Sequence, residues 1–215
     1  MRRGVVVWVA AILAVGCGNS VPSKTVSSDS ATFHNAIVAT ISARSFRFSI
    51  HTQAGSQPAA AAVGRFRAPD RSAMTVGDVE RLTVGDASYF RGGGFGTDGW
   101  SKSAKGATGD PDFLAVLIVA QNANPVVRHG AVYTVDIAAA GGAPDRHWKL
   151  WIDTGRVARV LYSSSAKLTW DQRFTDYGAA LIVEEPPAAE SHPVTELPTC
   201  VGGGQADFVG FCQPA

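Results

Sequence analysis

The chain has 215 residues, with 19 Lys and Arg against 18 Asp and Glu, and 46% of its residues are hydrophobic. That length allows one domain with a substantial core. The near balance of charge, with no run of lysine or arginine along the sequence, excludes the basic footprint expected of a nucleic-acid-binding protein.

The N-terminus reads MRRGVVVWVAAILAVGC. Arg2 and Arg3 form a short positive start, and Val5 to Val15 is uncharged and apolar. The stretch is shorter than the ~20 residues of a membrane span but fits the roughly 7–15 residues of a signal-peptide core. Small residues, Ala14-Val15-Gly16, lead directly into Cys17 in the manner of a bacterial lipobox, although Ala14 stands where leucine is usual. Cys17 is therefore expected to be alkylated by a diacylglyceryl group, with the chain cut just before it. Several acyl chains on one residue hold a protein stably at a membrane. Residues 1–16 read as the signal peptide, and 17–28 as the lipidated cysteine and a flexible polar tether. Cleavage leaves 17 basic against 18 acidic residues. No second long apolar run follows, so no later segment is expected to span a bilayer.

The segment SSDSATFHNAIVATISARS predicts a helix capped by Ser28 or Asp29, with Phe33, Ala36, Ile37, Thr40 and Ile41 at helical spacing. The period then changes to two. Phe46, Phe48 and Ile50 alternate with Arg47, Ser49 and His51, which predicts a half-buried strand. AAVGRFRAP, RSAMTV, DVERLTV and ASYFRG continue as strands, the last three joined by Gly77-Asp78 and Gly85-Asp86 in links suited to type II′ turns. GDPDFLAVLIVAQNA predicts a second helix starting at Asp110-Pro111, apolar around much of its circumference and so buried on several sides. AVYTVDIAA, HWKLWIDT, RVARVLYSS and KLTWDQRFTDYGAALIVEEP alternate as four more strands. From Pro186 the chain reads as an extended tail, which holds Cys200 and Cys212. An exported chain meets an oxidising compartment, so these two cysteines are expected to pair across a glycine-rich loop, a bridge worth about 3 kcal/mol by loop-entropy models. Zinc would need a second pair of ligands that the loop does not offer.

The predicted class is α+β, a curved antiparallel β-sheet wrapped over helices, with the domain at residues 29–186 and the tail with its disulfide loop at 187–215. Chemistry-bearing motifs are scarce. Gly94 to Gly99 matches G-x-G-x-x-G, but Trp100-Ser101-Lys102 follows instead of a helix that could receive a pyrophosphate, so the stretch reads as a hairpin loop. There is no nucleophile elbow and no H-E-x-x-H. The five histidines stand singly, without metal-ligand spacing. No enzyme, metal or other cofactor is implied. What remains is apolar surface on both faces of several strands, as in Trp148 against Trp151, Tyr133 against Val132 and Tyr162 against Leu161. A curved sheet of that kind can enclose an apolar cavity. Its candidate lining is Phe46, Phe48, Ile50, Met74, Val76, Leu82, Val84, Phe113, Leu117, Val135, Ile137, Trp148, Leu150 and Ile152. The alternation leaves open which sheet face is concave, so Tyr133, Trp151 and Tyr162 are the lining if the other face is.

DVERLTVGDASYF followed by GW, a proline-started helix, WKLWIDTGRVARVLY and the closing FTDYGAALIVEEP together resemble actinobacterial lipoproteins of the LppX/LprG type. The resemblance covers roughly residues 43–187. It implies a LolA-like half-barrel, a hydrophobic cavity between sheet and helices, and an acyl-chain lipid or lipoglycan as ligand. The cysteine-bearing tail is a departure from that pattern. The expected protein is a lipid-anchored carrier on the extracytoplasmic face of the cell membrane, on the periplasm or cell-wall side, with an envelope transporter as a further partner. The alternative is an anchored interaction or transporter-accessory protein with a filled core and no lipid ligand.

Overall fold

The structure is a computed structural model that describes residues 27–95, 98–104 and 113–194. Helix α1 (Ser28–Ile41) is capped by Ser27, whose hydroxyl accepts a hydrogen bond from the Ser30 amide at 3.1 Å. Capping one residue earlier than expected leaves Asp29 in the first turn, where a carboxylate suits the positive helix end. Phe33, Ala36, Ile37 and Thr40 form the buried stripe.

Twelve strands among the described residues make one sheet. They are β1 (Ser45–Ala54), β2 (Ala60–Arg67), β3 (Arg71–Val76), β4 (Val79–Val84), β5 (Ala87–Arg91) and β6 (Trp100–Ala104). After α2 (Ala115–Gln121) come β7 (Val126–His129), β8 (Val132–Ile137), β9 (Arg146–Asp153), β10 (Arg156–Ser164), β11 (Leu168–Thr175) and β12 (Ser191–Pro193). The order across the sheet is β12-β6-β5-β4-β3-β2-β1-β11-β10-β9-β8-β7. The sheet is open and curved, and it is antiparallel except where β12 joins β6 in parallel. Two meanders thus meet at β1, which pairs with β2 on one side and β11 on the other.

The turns follow their glycines. Gly77 and Gly85 have φ of +58° and +59°, as the β3–β4 and β4–β5 links need at their first position. Thr154 and Gly155 are both at positive φ, 47° and 75°, the pattern of a type I′ turn between β9 and β10. Strands β6, β7 and β12 were not expected. Each is at or next to a sheet edge and three to five residues long, too short to show a clear period. The last long alternating segment stops at Thr175, because Asp176 and Gly178 turn the chain at φ of 54° and 79°. Helix α2 is also shorter than expected: Phe113 and Leu114 lie in a turn before it, and the proposed cap at Asp110 lies outside the described residues. Val116, Leu117 and Ala120 are buried, whereas Ile118 is 43% exposed, so α2 is not buried all round.

Both helices lie on the concave face. Helix α1 crosses β7 and β10, and α2 packs on α1. Thr40 ties the layers together: its hydroxyl donates to Ala36 O at 2.8 Å and accepts the Val157 amide at 2.9 Å. The Tyr177 hydroxyl donates to Val157 O at 2.6 Å, and burial pushes its pKa up to about 12. At the centre of the sheet, Phe48 stacks on Phe113 at 4.7 Å between ring centroids. Its ring also covers Gly64 on the neighbouring strand. A Cβ at residue 64 would stand 2.4 Å from the Phe48 ring and 2.7 Å from Ala73 O.

That contact generates a prediction. Gly64→Ala should cost about 1–3 kcal/mol through overpacking, read as a lower denaturation midpoint. Adding Phe48→Leu should recover part of the loss, because the ring no longer occupies the space. An unchanged midpoint in Gly64→Ala would show that the ring and the Ala73 carbonyl yield freely.

Candidate functional site

Strand register fixes which residues share the concave face. Phe46, Phe48 and Ile50 on β1 stand opposite Phe66, Gly64 and Ala62 on β2, and Phe48 and Ile50 stand opposite Phe174 and Gln172 on β11. Met74 and Val76 continue this face on β3, and Val135, Trp148, Leu150 and Ile152 carry it to the far meander. Leu117 reaches it from α2 and Phe113 from the turn before it. Ile137, half-buried, packs at its margin. Twelve of the fourteen candidate lining residues are therefore brought onto one apolar surface. Phe46 and Phe113 pack against Phe66 and against Phe48, so these rings fill the middle of the face instead of walling an open space. Tyr133 and Tyr162 also belong to the concave face, in register with Leu150 and Trp148. Trp151 faces outward under the Arg159 guanidinium, 4.6 Å from its ring centroid.

Leu82 and Val84 are not on this face. Leu82 stands opposite Ala73 and Tyr89, and Val84 opposite Arg71 and Ala87, all on the outer side. Arg81 and Thr83 take the inward positions of β4. Arg81 is buried, its guanidinium lies 5.0 Å from the Phe90 ring centroid, and burial lowers its pKa to about 10. Two-residue alternation selects the more apolar set as the interior. That rule fails on β4 because its outer face is covered too.

The cover is the segment 179–194. Ser45 Oγ donates to Ala179 O at 2.7 Å, and Arg71 Nη1 donates to Val183 O at 2.9 Å. Leu181 and Val183 are buried beneath this strap. Further along, the fully buried Tyr89 gives its hydroxyl proton to the Glu185 carboxylate, and Lys102 Nζ stands 3.5 Å from the same group. The strap ends as β12, so the sheet continues past the boundary expected at Pro186.

The concave face carries a polar row that the apolar pattern concealed. Trp148, Tyr162 and Trp170 stand side by side across β9, β10 and β11. Trp170 Nε1 donates to Gln172 Oε1 at 2.9 Å. Gln172 Nε2 and Trp148 Nε1 are fully buried, and neither they nor Arg146 Nε meet an acceptor among the described residues. All three are donors. A buried donor without a partner costs about 1–3 kcal/mol, so such groups ask for an explanation. The signal available in the sequence was Gln172 itself, at an inward position between Trp170 and Phe174.

Cys17, Cys200 and Cys212, and with them the proposed lipid attachment and disulfide, lie outside the described residues, as do the signal peptide and tether up to residue 26. Gly93–Phe95 of the glycine-rich loop form a single 3-10 turn. Among the described residues no three His, Cys, Asp or Glu side chains form a group able to hold a metal, and no helix is long and apolar enough to cross a membrane.

No family model matches the chain, and no curated protein does. Among solved structures it is similar to the Mycobacterium tuberculosis lipoprotein LppX. That likeness covers 72% of this chain and 97% of the other at 12% identity, with a TM-score of 0.45. It is also similar to a LolA superfamily protein from Nitrosomonas europaea. There the cover is 72% of this chain and 94% of the other at 7% identity, with a TM-score of 0.33.

The strap contact is pH-dependent by construction. The hydrogen bond from Tyr89 holds the Glu185 carboxyl below its ordinary pKa, with Lys102 and Arg71 adding to the effect against partial desolvation. A folded-state pKa below the unfolded one means that the contact contributes fully above the usual carboxylate range. It is lost as pH falls through the lowered value. Amides of 181–194 should therefore lose exchange protection selectively on acidification, and Glu185→Ala should show the same loss already at neutral pH. Equal protection in the native chain and Glu185→Ala at neutral pH would show that the strap is held by Leu181 and Val183 alone.

Proposed function

We propose that this chain is a membrane-anchored extracytoplasmic lipoprotein that binds or carries an amphipathic lipid between its curved sheet and its helices. The observation that carries the reading is the far part of the concave face, beyond the packed phenylalanine rings: an apolar surface across β8 to β11 that includes buried N–H donors with no acceptor among the described residues. An acyl chain with an ester or amide carbonyl supplies both complements. Each methylene moved out of water contributes about 0.8 kcal/mol. A carbonyl oxygen near Trp148 and Gln172 would satisfy donors that hydrocarbon cannot. The lipobox pattern ending at Cys17 and the resemblance to lipoproteins of the LppX/LprG type support the same reading, with a lipoglycan as the larger version of the ligand and an envelope transporter as the partner in its transfer. Binding of this kind is burial without bond-making, and the proposed role is accordingly not enzymatic.

The test is native mass spectrometry of the full chain purified in mild detergent, followed by organic extraction. A stoichiometric lipid should accompany the native protein. Trp148→Phe, which removes one donor and keeps the ring, should lower occupancy roughly fivefold while leaving the fold intact. Ile152→Trp should reduce uptake by placing a larger side chain on the proposed binding surface, where Ile152 is only partly buried. A lipid-free protein that takes up nothing when phospholipids are offered would overturn the carrier and leave the filled-core interaction protein. Normal uptake in Ile152→Trp would move the binding surface away from β9.

A further inference from the structure

The outer face of the central strands carries a second feature, unrelated to the concave interior. Arg47 on β1 stands directly opposite Arg65 on β2, and Arg67 on β2 directly opposite Arg71 on β3. Arg173 on β11 joins them, opposite Ser49 and so diagonal to Arg47, two residues along β1. Five guanidinium groups thus gather on four adjacent strands of a protein whose formal net charge is only +1. Like charges directly opposite each other on paired strands are destabilising. Acids offset three of the five: Asp176 pairs with Arg47 at 3.1 Å, Glu185 lies in the field of Arg71, and Asp171 in that of Arg173. Glu80 is held by Arg91 at 2.6 Å, and Asp171 is engaged by Arg159 through two hydrogen bonds of 2.8 and 2.7 Å. Arg71 spends one donor on Val183 O. Arg65 and Arg67 make no ion pair among the described residues.

The same area contains a groove of about 430 Å³. Strand alternation places the side chains of Arg47, Val63, Arg65, Thr75, Leu82 and Glu80 on its side of the sheet, with the small Ala73 between them and Glu80 held by Arg91. Val63, beside Arg65, is 59% exposed, and Ile182 on the adjoining strap is 63% exposed. Guanidinium groups around exposed aliphatic side chains have the composition of a surface that lies against a phospholipid headgroup layer. Arginine also suits phosphate because its planar fork donates two parallel hydrogen bonds.

We propose that this outer arginine face is a docking surface for anionic phospholipid headgroups. Resting on the membrane-anchored reading above, it would turn the β1–β3 region toward the bilayer and leave the opposite, helix-covered face directed away. Charge complementarity commits the surface to that occupant. Anionic headgroups relieve the Arg47–Arg65 and Arg67–Arg71 repulsion, and a neutral membrane does not.

The experiment is vesicle flotation of the full chain carrying Cys17→Ala, so that no lipid anchor contributes, on phosphatidylcholine vesicles and on vesicles with one third phosphatidylglycerol. The protein should favour the anionic vesicles, and rising salt should erase the preference. Arg65→Glu/Arg67→Glu should lower partition onto anionic vesicles roughly thirtyfold or more and leave partition onto neutral vesicles unchanged. Arg65→Gln/Arg67→Gln should give the smaller loss expected from neutralisation alone. Both residues are exposed and face like charges, so both variants should melt at or above the native temperature. Equal flotation of the native and charge-reversed chains on anionic vesicles, or no anionic preference in the native chain, would overturn the docking surface. Because cargo binding is read separately by mass spectrometry, that result would leave the carrier reading standing.

Discussion

The close approach of the Phe48 ring to Gly64 is the contact on which the architecture turns. Strand β1 is the seam between two meanders, and Phe48 is at its midpoint, facing Gly64 on one neighbour and Phe174 on the other. With no side chain at residue 64, the end of the Phe48 ring reaches over β2 while its face stacks on Phe113, which leads into α2. One glycine therefore sets how closely the helix layer approaches the sheet. Larger packing would lift α2, and with it α1, from the concave surface.

From that seam the two meanders are treated differently. The β7–β11 side is roofed by α1, whose Thr40 joins the β10 backbone through a buried hydrogen bond. The β3–β6 side is backed on its outer surface by the strap, fastened at Arg71, Tyr89 and Lys102. The sheet is consequently covered on opposite faces at its two ends. Such an arrangement suits an open half-barrel, because each half gains buried apolar area without the sheet closing on itself. It also terminates one edge: β12 is three residues long and ends in Pro193, which has no N–H to offer another strand.

Polar groups are distributed with equal asymmetry. Inside, the buried side-chain groups left without a partner among the described residues are all nitrogen donors, on Arg146, Trp148 and Gln172. Outside, arginines from four strands gather on one area, and two of them, Arg47 and Arg65, line a groove there. The two features lie on opposite faces of one sheet and share only β11, so a surface docked on the arginines does not obstruct the interior.

The sequence by itself determined whatever is local. Period-two alternation marked nine of the twelve strands, and glycines marked the hairpin turns, because each depends on residues within a few positions of one another. The apolar stripe of α1 and most of the concave face were legible for the same reason. Tertiary structure decided the rest. The assignment of Leu82 and Val84 to the outer face needed the strap, which arrives from about a hundred residues later and covers that side of the near meander while Arg81 and Thr83 turn inward. The polar row of Trp148, Trp170 and Gln172 needed the registers of three strands. No run of basic residues exists in the sequence, yet Arg47, Arg65, Arg67, Arg71 and Arg173 become neighbours once those strands pair. Strand pairing converts separation along the chain into spacings of about 5 Å across it, and no local pattern encodes which residues will meet there.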